Sequence, residues 1–196
     1  MTTVFFDIDT QLDFLYPAGA LYVPGAEQIL DRVSALNRYA ALHGSFVISS
    51  MDAHTEDDPE FKTWPHHCVA GVLGQHKPAS TLLAKRLNLR NAAMAGDLAL
   101  AGIEQILLEK QSVDCFTNRH LERLLDRLKA DRYVVYGVVT EICVRRATQG
   151  LLKTGRRVEL VIDAIRSLDR KAGDAMIAEF TAGGGVLTSC EAVLGR

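Results

Sequence analysis

Cys143, Lys110 and Asp9 are the side chains whose types and settings can do nucleophilic chemistry. Cys143 lies in GVVTEICVRR (residues 137–146), where an apolar β-branched run passes into a helical pattern. Thr140 is the expected N-cap, which puts Cys143 in the first helical turn. The positive end of the helix favours a thiolate there, and backbone N–H groups are near. A thiolate beside N–H donors can attack a carbonyl and receive the developing charge. The competing reading is a small buried packing residue. Lys110 follows an apolar run at residues 106–108. A lysine in that place either snorkels to solvent or is held by a carboxylate. Asp9 also ends an apolar run and is the candidate partner; the alternative is a loop or capping carboxylate. Together the three supply a nucleophile, a base and a charge stabiliser.

A second constellation lies in a long polar stretch, residues 51–79, rich in His, Asp, Pro and Gly. Asp52 and His54 are two apart, hence on one side of an extended chain. Glu60 and His67 follow. Two imidazoles with two carboxylates suit one divalent ion, zinc, iron or manganese; solvated loop side chains are the alternative. His66 is too close to His67 to share an ion with it. His43, His76 and His120 read as surface residues, and Cys68 as packing.

These residues must be positioned by a regular scaffold. Apolar runs at residues 4–9, 45–50, 132–139, 158–162 and 185–188 read as strands, and residues 103–109 as a strand or a helix end. Helical spacing marks residues 26–42, 118–129, 141–154 and 170–182, with a shorter helical piece at 81–87. Alternating strands and helices predict an α/β fold: three layers, α/β/α, around a mostly parallel sheet of about six strands. In such sheets ligands sit beyond the carboxyl ends of the strands. Asp9, Asp52, Lys110 and the turn before Cys143 all follow expected strands, so they should share one edge.

Composition excludes several classes. The chain has 196 residues, 22 basic and 24 acidic, and a formal charge of −2. No basic excess exists to hold nucleic acid. No apolar run approaches a membrane span. Residues 1–14 carry three aspartates and no basic segment, so no secretory signal is expected. Four cysteines, widely spaced without a C-x-x-C, fit reduced thiols in a cytoplasmic protein.

Four ordered motifs together resemble the cysteine hydrolase (isochorismatase-like) superfamily, and within it the nicotinamidases, across nearly the whole chain. DIDTQLDF (residues 7–14) is similar to the family's D-x-Q-x-D-F opening. Asp52-x-His54 followed by WPHHCVAGVLG (residues 64–74) is similar to the nicotinamidase block W-P-x-H-C-V-x-G-T-x-G, with Val72 in place of Thr. Glu109-Lys110, with Phe116 after it, and GVVTEICV (residues 137–144) complete the set. The resemblance implies one catalytic domain, residues 1–196, with an inserted segment around 78–100. It implies a triad of Asp9, Lys110 and Cys143, with the N–H groups of Val139 and Cys143 as oxyanion hole and a cis peptide at Val138–Val139. Asp52, His54, Glu60 and His67 match the metal ligands, and Phe14 and Trp64 the aromatic residues that hold a substrate ring. The implied activity is hydrolysis of nicotinamide to nicotinate and ammonia through a thioester, in the service of NAD salvage. The alternatives are another small amide or carbamoyl compound as substrate, or a non-catalytic binding protein on the same fold. A homo-oligomer is expected by analogy alone. Three departures bear on the substrate: Val72, the run VDCF at residues 113–116, and the long stretch from His67 to Lys110.

Overall fold

Residues 3–8 (TVFFDI) send alternate side chains to opposite sides, and both sides are buried. This is the signature of an interior strand covered on each face. The computed structural model describes residues 1–94 and 96–195. Its strands are β1 (Thr3–Ile8), β2 (Phe46–Asp52), β3 (Arg86–Leu89), β4 (Gln105–Lys110), β5 (Arg132–Val138), β6 (Arg157–Arg166) and β7 (Val186–Thr188). They form one sheet in the order β3-β4-β2-β1-β5-β6-β7, with every pairing parallel.

The helices are α1 (Leu12–Leu15), α2 (Leu30–Leu42), α3 (Leu121–Leu128), α4 (Arg145–Leu152), α5 (Arg170–Ala182) and α6 (Cys190–Leu194). Val4, Phe6 and Ile8 of β1 join the core built with Leu124 of α3, Leu151 of α4 and Met176 of α5. Phe5 joins the opposite core, with Val33 and Leu36 of α2 and Val193 of α6. The three-layer α/β/α expectation therefore holds, and no helix is long and apolar enough to cross a membrane among the described residues.

The sheet has seven strands where the sequence suggested about six, and the extra one explains another correction. The piece at residues 81–87 expected to be helical is not: Ala79–Thr81 is a single 3₁₀ turn, and Arg86–Leu89 is edge strand β3. Its pattern is short and mostly exposed, so local periodicity does not settle it. Pairing with β4, Arg86 opposite Gln105 through Leu89 opposite Leu108, does.

The order β4-β2-β1-β5 sets four carboxyl-terminal strand ends side by side. Asp52 pairs with Lys110, Ile8 with Ser50, and Ile8 with Gly137. Gly137 has φ 117°, and a Cβ there would lie 2.1 Å from the Ile8 carbonyl oxygen. Only glycine permits β5 to approach β1 this closely just before the turn to Cys143.

Candidate active site and metal site

Asp9 leaves β1 in the left-handed region, φ 47°, a conformation that Asp tolerates better than most residues. Its N–H donates to the Ser50 carbonyl at 3.2 Å, and its Oδ1 accepts from the Ser50 hydroxyl at 2.7 Å. The Lys110 ammonium lies 2.9 Å from Asp9 Oδ2, hydrogen-bonds Asp52 Oδ1, and stands 3.8 Å from Cys143 Sγ. All four side chains are buried. The three sequence candidates for nucleophilic chemistry are thus brought together, with Asp52 as a fourth member.

Burial and the neighbouring charges set the protonation states. Burial pushes the Asp9 carboxyl above its ordinary value; Lys110 opposes this and the charge of Asp52 adds to it. Burial also acts against ionised Asp52, but Lys110 and His54 outweigh it and hold that carboxyl low. Burial likewise disfavours the Lys110 cation, yet Asp52 and Asp9 hold it well above the ordinary lysine value.

Cys143 differs from the expectation in two respects. It lies in a π-helical turn, Thr140–Val144, capped by Val139 with no side-chain hydrogen bond. The Thr140 hydroxyl is buried without a hydrogen-bond partner among the described residues, so it is not the cap. And burial pushes the thiol well above its ordinary value: Lys110 favours the thiolate, but Asp9 and Asp52 do not. Burial thus favours the neutral thiol at Cys143. The peptide bond Val138–Val139 is cis.

Asp52, His54 and His67 place one ligand atom each within 4.8 Å of one another. The orientation of each imidazole is fixed from behind. His54 Nδ1 meets Asp58 Oδ2 at 3.0 Å, and His67 Nδ1 meets the Pro65 carbonyl at 2.7 Å. With Nδ1 carrying the proton, both Nε2 lone pairs are free for an ion. Those atoms lie 3.9 Å and 3.8 Å from the Asp52 oxygens, and His54 Nε2 is buried, with no atom within hydrogen-bond distance among the described residues. Orientation of a ligating imidazole by a carboxylate or carbonyl is the usual support of a metal site. These residues fit one divalent ion of the zinc, iron or manganese class. Glu60, on the 3₁₀ turn Pro59–Lys62, stands outside that triangle but on the wall of the same pocket.

Asp52, Glu60, His67 and Cys143 line that pocket together with Phe14 and Trp64. Leu21, Val113, Val139, Ile142 and Leu168 add apolar lining. Phe14 also packs on His67, ring centroids 5.4 Å apart. Sequence reasoning missed Ser50 and Asp58. Asp58 carried a usable signal, an acid four residues after His54. Ser50 carried none, because its role arises only from the register of β2 on β1.

The Isochorismatase domain family model matches residues 3–192. The chain belongs to this family. The nicotinamidase of Escherichia coli (strain K12) is 24% identical over 208 residues, spanning 92% of this chain and 91% of the relative. Among solved structures, the pyrazinamidase of Pyrococcus horikoshii in complex with zinc superposes with TM-score 0.79 at 24% identity, covering 96% of this chain and 99% of the other. A protein of L. infantum in complex with nicotinate superposes with TM-score 0.77 at 28% identity, covering 97% and 94%. This isochorismatase-family hydrolase therefore carries a candidate metal cluster one carboxylate away from its buried Lys110.

Proposed function

We propose that the protein is a metal-containing cysteine amidohydrolase that converts nicotinamide to nicotinate and ammonia, acting in the cytoplasm in NAD salvage. One observation carries this reading. Asp52 joins the Asp9–Lys110–Cys143 cluster to the two histidines, at a pocket walled by Phe14 and Trp64. The nicotinamidase and pyrazinamidase relatives and the nicotinate complex support the choice of substrate.

In this mechanism Asp9 accepts the Cys143 proton as sulfur attacks the carboxamide carbon. The N–H groups of Val139 and Cys143 receive the oxyanion. Asp9 returns the proton to the leaving nitrogen, which departs as ammonia and leaves a thioester on Cys143. Asp9 then takes a proton from water, which attacks the thioester carbon. Cys143 leaves and is reprotonated, and the acid is released as carboxylate. Lys110 keeps Asp9 ionised and offsets the negative charge that passes between sulfur and carboxylate. Asp52, His54 and His67, with Glu60 nearby, would hold the metal, which would act as a Lewis acid toward the ring nitrogen. Phe14 and Trp64 hold the faces of the ring.

Ammonia release from nicotinamide, pyrazinamide and aliphatic amides, by wild type and by Cys143→Ala, tests the proposal. Release from nicotinamide that falls at least about 10⁴-fold in the variant is expected. Retained release overturns the covalent mechanism. Wild-type release from another amide but not from nicotinamide overturns the substrate.

A further inference from the structure

A second buried ion pair lies on the other side of the turn that carries Asp9. The Lys77 ammonium is 3.2 Å from Asp7 Oδ1, and their side chains are 1% and 0% exposed. Lys77 also donates to the Thr10 hydroxyl at 3.0 Å, and that hydroxyl donates to Asp7 Oδ1 at 2.6 Å. The other Asp7 oxygen accepts from the Ser49 hydroxyl at 2.9 Å and from Asn37 at 3.3 Å. A buried ion pair is weak as a source of stability, since apolar residues of similar volume serve as well or better. Its best-attested use is to fix one register.

What it fixes here is the backbone at Asp9. Asp7 stands two residues before Asp9 and Thr10 one residue after it, so Lys77 grips both sides of a residue held at φ 47°. The next contacts continue the clamp toward the metal-bearing loop: Gln11 donates to the Asp52 and Gln75 carbonyls, both at 2.8 Å, and the Leu12 N–H donates to the His76 carbonyl at 2.9 Å. We infer that Lys77, Asp7 and Thr10 are positioning residues that hold the Asp9 carboxylate at Cys143. This rests on the reading of Asp9 as the base. None of the three touches substrate in that scheme.

Three variants of the full-length, metal-loaded protein test this: Thr10→Val, Thr10→Ser, and the double variant Asp7→Asn/Lys77→Met, which leaves no lone buried charge. The readouts are kcat and KM for the amide that wild type turns over, the rate at which iodoacetamide modifies Cys143, and metal content. A misplaced catalytic group far from any lost contact can cost about 100-fold, so Thr10→Val and the double variant should lose about 10- to 100-fold in kcat. Cys143 modification should slow in parallel, while KM stays within about twofold and metal content is unchanged. Thr10→Ser, which keeps the hydroxyl, should stay within about threefold of wild type. The inference is overturned if Thr10→Val and the double variant fold and keep both rates within about twofold. It is also overturned if KM rises and metal is lost with kcat intact, because the pair then only shapes the loop. The iodoacetamide measurement uses no amide, so a wild type inert toward nicotinamide sinks the proposed substrate without deciding this question.

Discussion

Two buried lysines stand near the Asp9 turn, and they keep different company. Lys110 faces two carboxylates and a thiol. Lys77 faces one carboxylate and one hydroxyl, and that carboxylate, Asp7, is further supplied by Ser49 and Asn37. Asn37 is itself fixed, donating to the Thr81 carbonyl at 2.7 Å and accepting from the Tyr136 hydroxyl at 2.6 Å. Around Lys77 each Asp7 oxygen has two partners, Lys77 and Thr10 on one and Ser49 and Asn37 on the other. Around Lys110 one cation is shared by Asp9 and Asp52, and Asp9 also takes hydrogen bonds from the Ser50 hydroxyl and the Cys143 thiol. A saturated cluster fixes geometry. An undersupplied one stores a proton acceptor, and here the undersupplied cluster is the one that opens to the pocket through Cys143.

The sharpest way to break this comparison is to neutralise each lysine separately. Lys110→Met and Lys77→Met each leave buried carboxylate charge uncompensated, so each should lower folding stability by about 3 to 5 kcal/mol in denaturant unfolding. Activity should separate them. Lys110→Met is expected to lower kcat/KM by at least about 10³-fold, through loss of the charge next to both base and nucleophile. Lys77→Met should lower it about 10- to 100-fold, through geometry alone. Equal losses in kcat/KM would show that the two clusters do the same work.

The metal side supplies the next effect. His54→Ala removes a proposed ligand, so elemental analysis should find metal well below wild-type stoichiometry. Chelation of wild type should raise KM by about tenfold or more, while iodoacetamide still modifies Cys143 at a rate within about twofold of the loaded protein. Complete loss of thiol reactivity on chelation would mean that the ion, and not the Asp9–Lys110 pair, governs the nucleophile.

Much of this site was legible in the sequence, because Asp9, Asp52, Lys110 and Cys143 each end or follow an apolar run. Parallel topology alone brings such ends together. The Lys77 cluster was not legible. Asp7 sits inside an apolar strand and Lys77 inside a polar loop, and hydrophobic periodicity assigns faces without pairing a buried acid with a distant base. Strand β3 was missed for a related reason: four residues, RLNL, become a strand through their partner β4. The Thr140 cap failed because the turn to Cys143 is π-helical, a geometry that capping preferences do not anticipate. The helix-end preference for a thiolate is opposed at Cys143 by burial and by the charges of Asp9 and Asp52, which no local sequence signal carries.

The undersupply at Asp9 also predicts a pH response with a definite sign. In the proposed mechanism Asp9 must be ionised to take the Cys143 proton, and burial holds its carboxyl above the ordinary aspartate value of 3.8. As pH falls through that raised value the base is lost, so the acid limb of kcat/KM should lie above 3.8. The Ser50 hydroxyl favours the ionised form, so Ser50→Ala should move that limb to still higher pH. A limb that stays in place would mean that another group controls it.

Glu60 gives the smallest expected effect and the finest division between the two kinds of cluster. It lies half-buried on the pocket wall, and its backbone N–H is pinned by Asp58 Oδ1 at 2.9 Å. Burial raises its carboxyl, and the charge of Asp52 adds to this. It is therefore undersupplied in the same sense as Asp9, but it stands outside the triangle of Asp52, His54 and His67. Those three already supply two imidazoles and a carboxylate, enough to retain one ion. Glu60→Gln keeps the shape and removes the charge. Metal stoichiometry at saturation should be unchanged, with affinity reduced by about tenfold, as for a residue supporting a site from its edge. Loss of stoichiometry equal to that of His54→Ala would make Glu60 a full ligand and extend the undersupplied cluster from Cys143 across the pocket floor.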